Sequence, residues 1–402
     1  MGRFVPGGSG PILVAPQSVV RSHLPGRYGE MTGGGTRNSH NRTLGAGPGG
    51  HARLDRVIKY LGSKRVLLPR ILQQIEPLPG VRRVLDLFSG TARVGHALKA
   101  RGLEVHANDH NAYAATLATC YVQADRHLWG ARAERLIAEL NLLPGAPGWF
   151  TETFCVRSRY LQPKNGERVD AIRERIARLA LEPELEAIVL VSLMEAADRV
   201  DSTTGVQMAY LKQWAARSHQ PLRLRMPEVL PGPGSASCLE AVEAAARTEA
   251  DLAYLDPPYN QHSYLGNYHV WESLVRWDKP EVYGIAMKRI DVRERPSAFN
   301  RRGEIEAALR AVVGAVRARW LLVSFSDEGH LSPETVEQML SERGEVRRFE
   351  IPYRRYVGHQ IGIYNPEGVK VGTPGHGRNR EMLFLARAET APRVLSEMEP
   401  VP

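Results

Sequence analysis

The tetrapeptide Asp256-Pro257-Pro258-Tyr259 places a carboxylate, two rigid residues and an aromatic ring directly after the apolar run 252–255. That run predicts a short buried strand. Because the prolines fix φ and have no N–H to donate, they hold the Asp256 carboxylate and the Pro257 carbonyl rigidly beyond the end of the strand. Two such acceptors suit the planar amino group of a nucleobase, since accepting its hydrogens directs the nitrogen lone pair out of the plane of the base. The ring of Tyr259 could stack on that base.

A glycine-containing turn is the second place where the residue types favour ligand binding. Residues 84–88 predict a strand and residues 92–100 a helix, with Gly90 in the turn between them. Glycine lets the backbone approach a ligand closely, and the first N–H groups of the helix are unpaired. Asp109 follows the next predicted strand, 104–107, where a carboxylate can accept hydrogen bonds from both hydroxyls of a ribose. The pattern favours adenosine binding, although similar turns are purely structural in many α/β folds.

The elements around these two sites alternate between strand and helix, which predicts a doubly wound α/β sheet with ligands beyond the carboxyl ends of its strands. Residues 121–249 interrupt this pattern, because the 3.6-residue periodicity of helices dominates them. The helices predicted there span 125–140, 170–181, 184–199 and 207–214. The α/β pattern returns with predicted strands at 252–255 and 320–325. Ser332 is the predicted N-cap of the helix that follows.

The composition limits the class of protein and of partner. The 402 residues include 53 Lys and Arg against 44 Asp and Glu, and the net charge of +9 favours a polyanionic partner. Cys120, Cys155 and Cys238 are too far apart for a CxxC zinc cluster and fit a reducing compartment, and we expect no metal site. No apolar run is long enough to span a membrane, so we expect a soluble cytoplasmic protein without a membrane partner.

Four motifs occur in an order that is itself informative. They are Lys59-Tyr60-Leu61-Gly62-Ser63-Lys64, Asp86-Leu87-Phe88-Ser89-Gly90-Thr91, Asn108-Asp109 and Asp256-Pro257-Pro258-Tyr259. With this order the chain resembles the Dam-like, alpha-group DNA adenine methyltransferases. In that family a Lys/aromatic/Gly motif precedes the cofactor loop, a target-recognition insertion and the catalytic tetrapeptide. The resemblance covers about residues 56–386 and ends with Asn379-Arg380-Glu381 and a short apolar run.

The resemblance implies a Rossmann-like domain that binds S-adenosylmethionine and transfers its methyl group to the exocyclic amine of a base. It assigns the cofactor to Tyr60, Lys64, Asp86, Phe88, Gly90, Asp109 and Asp256, and catalysis to Asp256, Pro257, Pro258 and Tyr259. In particular, Asp109 would hold the ribose, and the Lys64 ammonium would meet the carboxylate of the methionine moiety. Families of this kind often have a second glycine where this chain has Ala92. Ser237 is only a weak candidate for a contact to the adenine ring.

Duplex binding is expected from basic segments near this site. Between residues 347 and 380 basic side chains alternate with tyrosines, which fits phosphate contacts and a wedge into the base stack. The segment 212–225 carries four cations and no acid. The predicted DNA contacts are Lys212, Arg217, Arg223, Arg225, Arg354, Arg355, Tyr356 and Arg378. Tyr264, Tyr268 and Trp271 are candidates for the base pocket, although core packing explains them equally well.

We expect five segments along the chain. They are a disordered, Gly-rich basic tail over 1–52, a cofactor-binding part of the catalytic domain over 53–120, the helical target-recognition insertion 121–249, the rest of the catalytic domain over 250–390, and a flexible C-terminus over 391–402. The tail is predicted because the first 50 residues hold 13 of the 37 glycines and few large apolar groups. Such a segment cannot offset the entropy lost on ordering.

The expected activity is S-adenosylmethionine-dependent methylation of double-stranded DNA at adenine N6, by an enzyme associated with the nucleoid. The residues leave cytosine N4 open, because both amines fit the same pair of acceptors. An RNA methyltransferase and a non-catalytic DNA-binding protein with this fold also remain open. A cognate restriction endonuclease is a further partner that the resemblance allows.

Overall fold

A computed structural model describes residues 57–354, 363–364, 370–372 and 378–389. The strands are β1 Arg83–Asp86, β2 Glu104–Asn108, β3 Gly234–Ser237, β4 Glu249–Leu255, β5 Val282–Tyr283, β6 Lys288–Arg289, β7 Arg317–Ser326, β8 Gly344–Arg354, β9 Ile363–Tyr364, β10 Lys370–Gly372 and β11 Arg378–Ala388. The predicted tail 1–52 and the predicted C-terminal segment 391–402 lie outside the described residues.

The helices surround this set of strands. They are α1 Leu68–Ile75, α2 Arg93–Lys99, α3 Ala112–Ala118, α4 Arg126–Leu142, α5 Trp149–Thr151, α6 Pro163–Leu179, α7 Pro183–Arg199, α8 Ala241–Arg247, α9 Tyr264–Asn267, α10 His269–Arg276, α11 Asp291–Glu294, α12 Ile305–Ala315 and α13 Pro333–Ser341. Short π-helical turns at Thr119–Gln123 and Glu152–Val156 and 3₁₀ turns at Ala216–His219 and Ala298–Asn300 complete the helical elements of the described residues.

Seven strands form the central sheet in the order β3-β2-β1-β4-β7-β11-β8. The first five strands run parallel to one another, whereas β11 lies antiparallel between β7 and β8. The strand order reverses between β1 and β4, so the carboxyl ends of these two strands border the crevice in which doubly wound sheets bind ligands. The predicted α/β, Rossmann-like sheet is therefore confirmed.

Both faces of the sheet are buried, as expected for parallel strands. Val84 and Leu85 are adjacent in β1 and point to opposite faces. Val84 packs in a core that includes Leu190 of α7, whereas Leu85 packs in a second core that includes Val312 of α12. The helices of the predicted insertion thus share one hydrophobic core with the sheet.

The predicted insertion 121–249 contains the long helices α4, α6 and α7, and it ends in elements of the sheet layer. β3 pairs in parallel with β2 at the edge of the sheet. The following helix, α8, packs against α12 on the far face. The α/β layer therefore resumes before β4, with β3 and α8.

The helix predicted over 207–214 is wrong, because these residues form no regular helix. The main-chain carbonyl of Gln207 accepts a hydrogen bond from the Tyr160 hydroxyl at 2.7 Å and lies 2.9 Å from Nε2 of His269. Its side-chain oxygen accepts from the N–H of Val270 at 2.9 Å. Tertiary hydrogen bonds thus replace the i to i−4 bonds of a helix. The predicted N-cap at Ser332 is confirmed, since its hydroxyl accepts the N–H of Thr335 at 3.1 Å.

Candidate active site

One cavity of about 400 Å³ lies where β1 and β4 end. The two strands are hydrogen-bonded neighbours, with Asp86 in register with Tyr254, so the residues that follow each strand meet at one edge. Phe88 and Gly90 line the cavity from the first strand, and Asp256 lines it from the second. The parallel sheet thereby brings together the two motifs that the sequence singled out.

The turn after β1 depends on two residues with positive φ. Gly90 has a φ of +50°, and its N–H donates to Oδ2 of Asp109 at 3.0 Å. A Cβ at Gly90 would lie 3.2 Å from the ring of Tyr60, so glycine keeps this part of the cavity open. Ala92 has a φ of +55°, in the left-handed region that favours glycine. This conformation gives a physical reason for the glycine that similar families place there.

Asp86 presents a buried carboxylate to the cavity. Its Oδ2 accepts the N–H of Gly95 at 2.9 Å. Its Oδ1 is buried and has no hydrogen-bond partner among the residues that the structure describes. Burial, together with the charges of Asp256 and Asp109, raises the pKa of Asp86 to about 7, although the Gly95 bond opposes the shift. A buried acceptor without a partner is costly, so this atom is suited to a donor from a ligand.

Asp109 closes the same side of the cavity from the end of β2. Its Oδ2 accepts from Gly90, and its Oδ1 accepts the N–H of Asn111 at 3.0 Å. Burial raises the pKa of Asp109, and the hydrogen bonds from Asn111 and Gly90 partly offset that effect. Oδ1 also accepts from the side-chain amide of Asn111 at 3.2 Å. Because each carboxylate oxygen has two lone pairs, Oδ2 retains acceptor capacity for a hydroxyl group.

The corner after β4 holds a buried ion pair. Nζ of Lys64 lies 2.9 Å from Oδ1 of Asp256 and 3.7 Å from Oε2 of Glu381. Burial alone would lower the pKa of Lys64, but the two carboxylates raise it well above its usual range. Burial raises the pKa of Asp256, and the Lys64 ammonium limits the rise. Lys64, which was assigned to the cofactor from sequence, therefore also sets the charge of the tetrapeptide carboxylate.

The remaining residues of the tetrapeptide differ in their surroundings. Pro257 is buried and Pro258 lines the cavity. Tyr259 is not among the described residues that line the cavity. Its ring centroid lies 5.5 Å from that of Phe325 and 5.8 Å from Nζ of Lys64. The ring that was expected to stack on a base is thus held by the sheet layer.

Three tyrosines form a stack at the cavity wall. The ring of Tyr60 lies 5.3 Å from that of Tyr264 and 4.7 Å from that of Tyr268, with interplanar angles of 24° and 15°. Tyr264 lines the cavity together with Tyr60. Tyr268 and Trp271, which were also candidates for the base pocket, are buried in the core.

Several cavity residues have no counterpart among the sequence predictions. The segment after β3 contributes Leu239 and Glu240, and the segment between α11 and α12 contributes residues 295–300. Neither segment carries a motif, and only the tertiary fold brings them to the cavity. Ser237, the weak candidate, donates its hydroxyl to Oδ1 of Asn108 at 2.7 Å and so supports the end of β2.

The predicted DNA contacts in the insertion fall into two groups. Arg217 is bound to the buried carboxylate of Asp201 at 2.7 Å. Lys212, Arg223 and Arg225 are exposed. Residues 221–225 form no regular helix or strand, and the exposed Arg223 and Arg225 alternate with buried leucines.

The second group lies on the strands beyond β7. Arg354 and Arg378 are in register on the antiparallel pair β8 and β11. Arg355 and Tyr356 lie outside the described residues. Nearby, Arg380 is exposed and lies 3.6 Å from Asp327 and 3.4 Å from Glu350. The structure thus brings Arg354 and Arg378 together at one end of the sheet.

The cavity lies at the switch point of a doubly wound α/β sheet, beside a corner stiffened by two prolines, and comparison with known proteins gives the family of the chain. Residues 60–339 match the model of the D12 class N6 adenine-specific DNA methyltransferases, and the chain belongs to that family. The resemblance to the Dam-like enzymes is confirmed. In the described part of the chain, no cluster of metal-ligating side chains and no helix able to cross a membrane occurs.

Among its relatives, the chain is 29% identical to the type II methyltransferase M.FokI of Planomicrobium okeanokoites, over 74% of this chain and 50% of that protein. It is 27% identical to the modification methylase StsI of Streptococcus sanguinis, over 76% of this chain and 50% of that protein. It is 26% identical to the type II methyltransferase M.NlaIII of Neisseria lactamica, over 74% of this chain and 92% of that protein. The chain thus spans about half the length of the first two relatives.

Proposed function

We propose that this chain transfers a methyl group from S-adenosylmethionine to N6 of adenine in double-stranded DNA. The observation that carries the proposal is the single cavity shared by the glycine turn after β1 and the Asp256 corner after β4. A rigid acceptor for an amine beside a nucleoside site is the arrangement that such a transfer requires. The family, whose description specifies N6 of adenine, favours that amine over cytosine N4.

The residues of the cavity fit the cofactor. Asp86 Oδ1, which has no partner in the described residues, would accept a hydrogen bond from the ammonium group of the methionine part. Asp109 would bind the ribose hydroxyls, and Phe88, Gly90 and Tyr60 would enclose the rest of the nucleoside. When bound, the cofactor supplies an electrophilic methyl group on a positively charged sulfur.

The target base would bind against the tetrapeptide. The amino hydrogens of adenine would donate to Asp256 and to the carbonyl of Pro257, both held by the proline-stiffened corner. Asp256 has two carboxylate oxygens, so it can accept from the base while Lys64 contacts Oδ1. Because the amine lies inside a duplex, the nucleotide must first be extruded, which costs a few kcal/mol. Orientation and hydrogen bonding supply the acceleration, and no covalent enzyme nucleophile is needed.

The duplex would be held by cations of the insertion and of the β8–β11 pair. We propose phosphate contacts from Lys212, Arg223, Arg225, Arg354, Arg355 and Arg378, with Tyr356 as a wedge in the stack. We also propose that residues 121–249 read the target sequence. Because relatives are named modification methylases, we propose that methylation by this chain protects DNA from a restriction endonuclease that cuts the same sequence.

The test is methyl transfer from methyl-labelled S-adenosylmethionine to duplex DNA, followed by digestion to nucleosides and mass spectrometry. We expect labelled N6-methyldeoxyadenosine, formed about 10³-fold or more slowly by Asp256→Asn. Labelled N4-methylcytosine alone would overturn the preference for adenine, and label found only in competing structured RNA would overturn the DNA substrate. Binding of DNA without transfer would leave a non-catalytic DNA-binding protein.

A further inference from the structure

The segment 295–300, here called the strap, closes one side of the cavity. Its first residue, Arg295, donates from Nη2 to Nε2 of His110 at 2.8 Å. Nδ1 of the same imidazole lies 2.7 Å from Oε1 of Glu240. This chain of contacts joins the strap to the ends of β2 and β3, so the strap is fixed to the cofactor half of the site.

Phe299 makes the second contact of the strap with that half. Its ring lies edge-on to Phe88, with centroids 5.3 Å apart and an interplanar angle of 77°. Both rings line the cavity and are half-buried. A planar ligand in the cavity would bury more of the Phe299 ring, so occupancy of the cavity favours the position that the strap has in this structure.

The next residue, Asn300, contacts the other half of the site. Its side-chain amide donates to the carbonyl of Asn260 at 2.7 Å and to the carbonyl of His262 at 3.1 Å. These residues follow the tetrapeptide directly, and the loop 260–262 leads into Ser263 and α9, which line the cavity. Neighbouring residues of one short 3₁₀ turn, Ala298–Asn300, therefore contact both halves of the site.

We propose that Asn300 is a positioning residue that couples cofactor binding to the shape of the base pocket. Filling the cavity fixes the strap through Phe299, and Asn300 then holds the loop 260–262, which sets the geometry of the tetrapeptide for the target base. The inference rests on the proposed function, to which it adds a role for Asn300 and a coupling between the cofactor site and the base pocket. Because coupling between two binding events is reciprocal, a bound base also tightens the cofactor site.

Hydrogen exchange measures this coupling without catalysis. In the full chain, S-adenosylhomocysteine should slow amide exchange in residues 259–265 by about tenfold. Asn300→Asp has nearly the same shape but replaces the two N–H donors with oxygen, so it should abolish this protection. Because Asn300 also lines the cavity, both proteins are compared at saturating S-adenosylhomocysteine, so that a difference in affinity does not enter the comparison.

The kinetic signature separates positioning from a general loss of structure. Asn300→Asp should lower kcat, measured at saturating S-adenosylmethionine, by up to about 10²-fold. Asn300→Gln retains the donors and should keep more of kcat. The matched control is Asn141→Asp, since Asn141 is also half-buried and donates its amide to a main-chain carbonyl, that of Leu224 at 3.1 Å. With bound S-adenosylhomocysteine this control should show the parent protection of 259–265, and at saturating duplex it should show the parent kcat.

The outcomes distinguish the coupling from the activity. If DNA is methylated and Asn300→Asp matches the parent in kcat and in exchange protection, the coupling is overturned and the activity stands. If cofactor-dependent protection requires Asn300 but no methyl group reaches DNA, the coupling stands and the proposed function fails. Absence of protection in the parent chain with bound S-adenosylhomocysteine overturns the coupling directly.

Discussion

The corners after β1 and β4 lie side by side at one edge of the sheet and have opposite chemistry. At the first corner the chain turns through Gly90 and Ala92, both with positive φ, beside the buried Asp86. At the second corner Pro257 and Pro258 remove two N–H donors and stiffen the backbone around Asp256. In the proposed function, the first corner is the cofactor corner, where the backbone would approach the ligand closely. The second is the base corner, which would accept hydrogen bonds rigidly.

The two acidic groups differ in the same way. Asp256 is paired with Lys64 at 2.9 Å, whereas Oδ1 of Asp86 has no partner among the described residues. The protein therefore pairs the Asp256 carboxylate with its own cation, but leaves a buried acceptor of Asp86 without a partner in the described residues. If the proposed function holds, this difference would let one sheet edge bind a nucleoside and an amine separately.

The largest effect is expected at the base corner. Asp256→Asn replaces one acceptor oxygen with a donor and should lower kcat by about 10³-fold or more, with cofactor affinity little changed. The matched control is Asp327→Asn, because Asp327 also follows a strand of the same sheet but lies outside the described cavity lining. Single-turnover assays measure the rate of methyl transfer by the two variants, and calorimetry measures their cofactor affinity. Normal turnover by Asp256→Asn would remove the proposed role of this corner.

Gly90→Ala should act on the cofactor corner alone. The new methyl group would lie 3.2 Å from the Tyr60 ring, and we expect cofactor affinity to fall by about 10- to 100-fold. Gly80 also has a positive φ, +76°, but has open space around it. Gly80→Ala should therefore cost about 1 kcal/mol of stability through backbone strain without changing cofactor affinity. Equal affinity losses in the two variants would mean that strain, not the lost space, is responsible.

The pH dependence should also separate the corners. The pKa of Asp86 is raised to about 7, so this carboxyl is ionised above that pH and protonated below it. An ammonium ligand binds the ionised form, and S-adenosylhomocysteine affinity should fall by up to about tenfold per pH unit below 7. The affinity of Asp86→Asn for S-adenosylhomocysteine should be lower than that of the parent protein at high pH, and it should not change with pH. Titration calorimetry from pH 5.5 to 8.5 measures this, and an unchanged slope in the variant would contradict the assignment.

The smallest effect belongs to the exposed arginines of the insertion. Arg223→Ala and Arg225→Ala should each reduce the slope of log affinity against log salt by about 1, with little change in kcat at saturating DNA. Arg132 is a suitable control, because it is exposed and paired with Glu182 at 2.8 Å. Fluorescence anisotropy with a labelled duplex measures the slopes. Slopes equal to that of Arg132→Ala would exclude phosphate contacts at both positions.

The chemistry at strand ends could be predicted from sequence because strand, turn and helix signals are local. The glycine turn at Gly90 and the proline corner at Asp256 follow from short-range geometry, and the parallel sheet then brings them together. The strap could not be predicted, since Phe299 and Asn300 reach the cavity only through tertiary packing. The same limit explains the wrong helix at 207–214, where tertiary hydrogen bonds to Gln207 outweigh the helical period.

Lys64 shows a finer limit of the same kind. Its position in a motif indicated the cofactor, but its ion pairs with Asp256 and Glu381 depend on strands far apart in the chain. The residue could be predicted from the pattern around it. Its second partner, Glu381 on β11, could not, because β11 comes to lie beside β7 only in the folded sheet.

A crystal structure of the chain with S-adenosylhomocysteine and a duplex that carries its target base tests the central claim most directly. We expect the exocyclic nitrogen of an extruded adenine to lie about 3 Å from the Asp256 carboxylate and the Pro257 carbonyl. We expect the sulfur to lie out of the plane of the adenine ring, facing the lone pair of that nitrogen. A base bound away from this corner, with Asp256 occupied by Lys64 alone, would contradict the account.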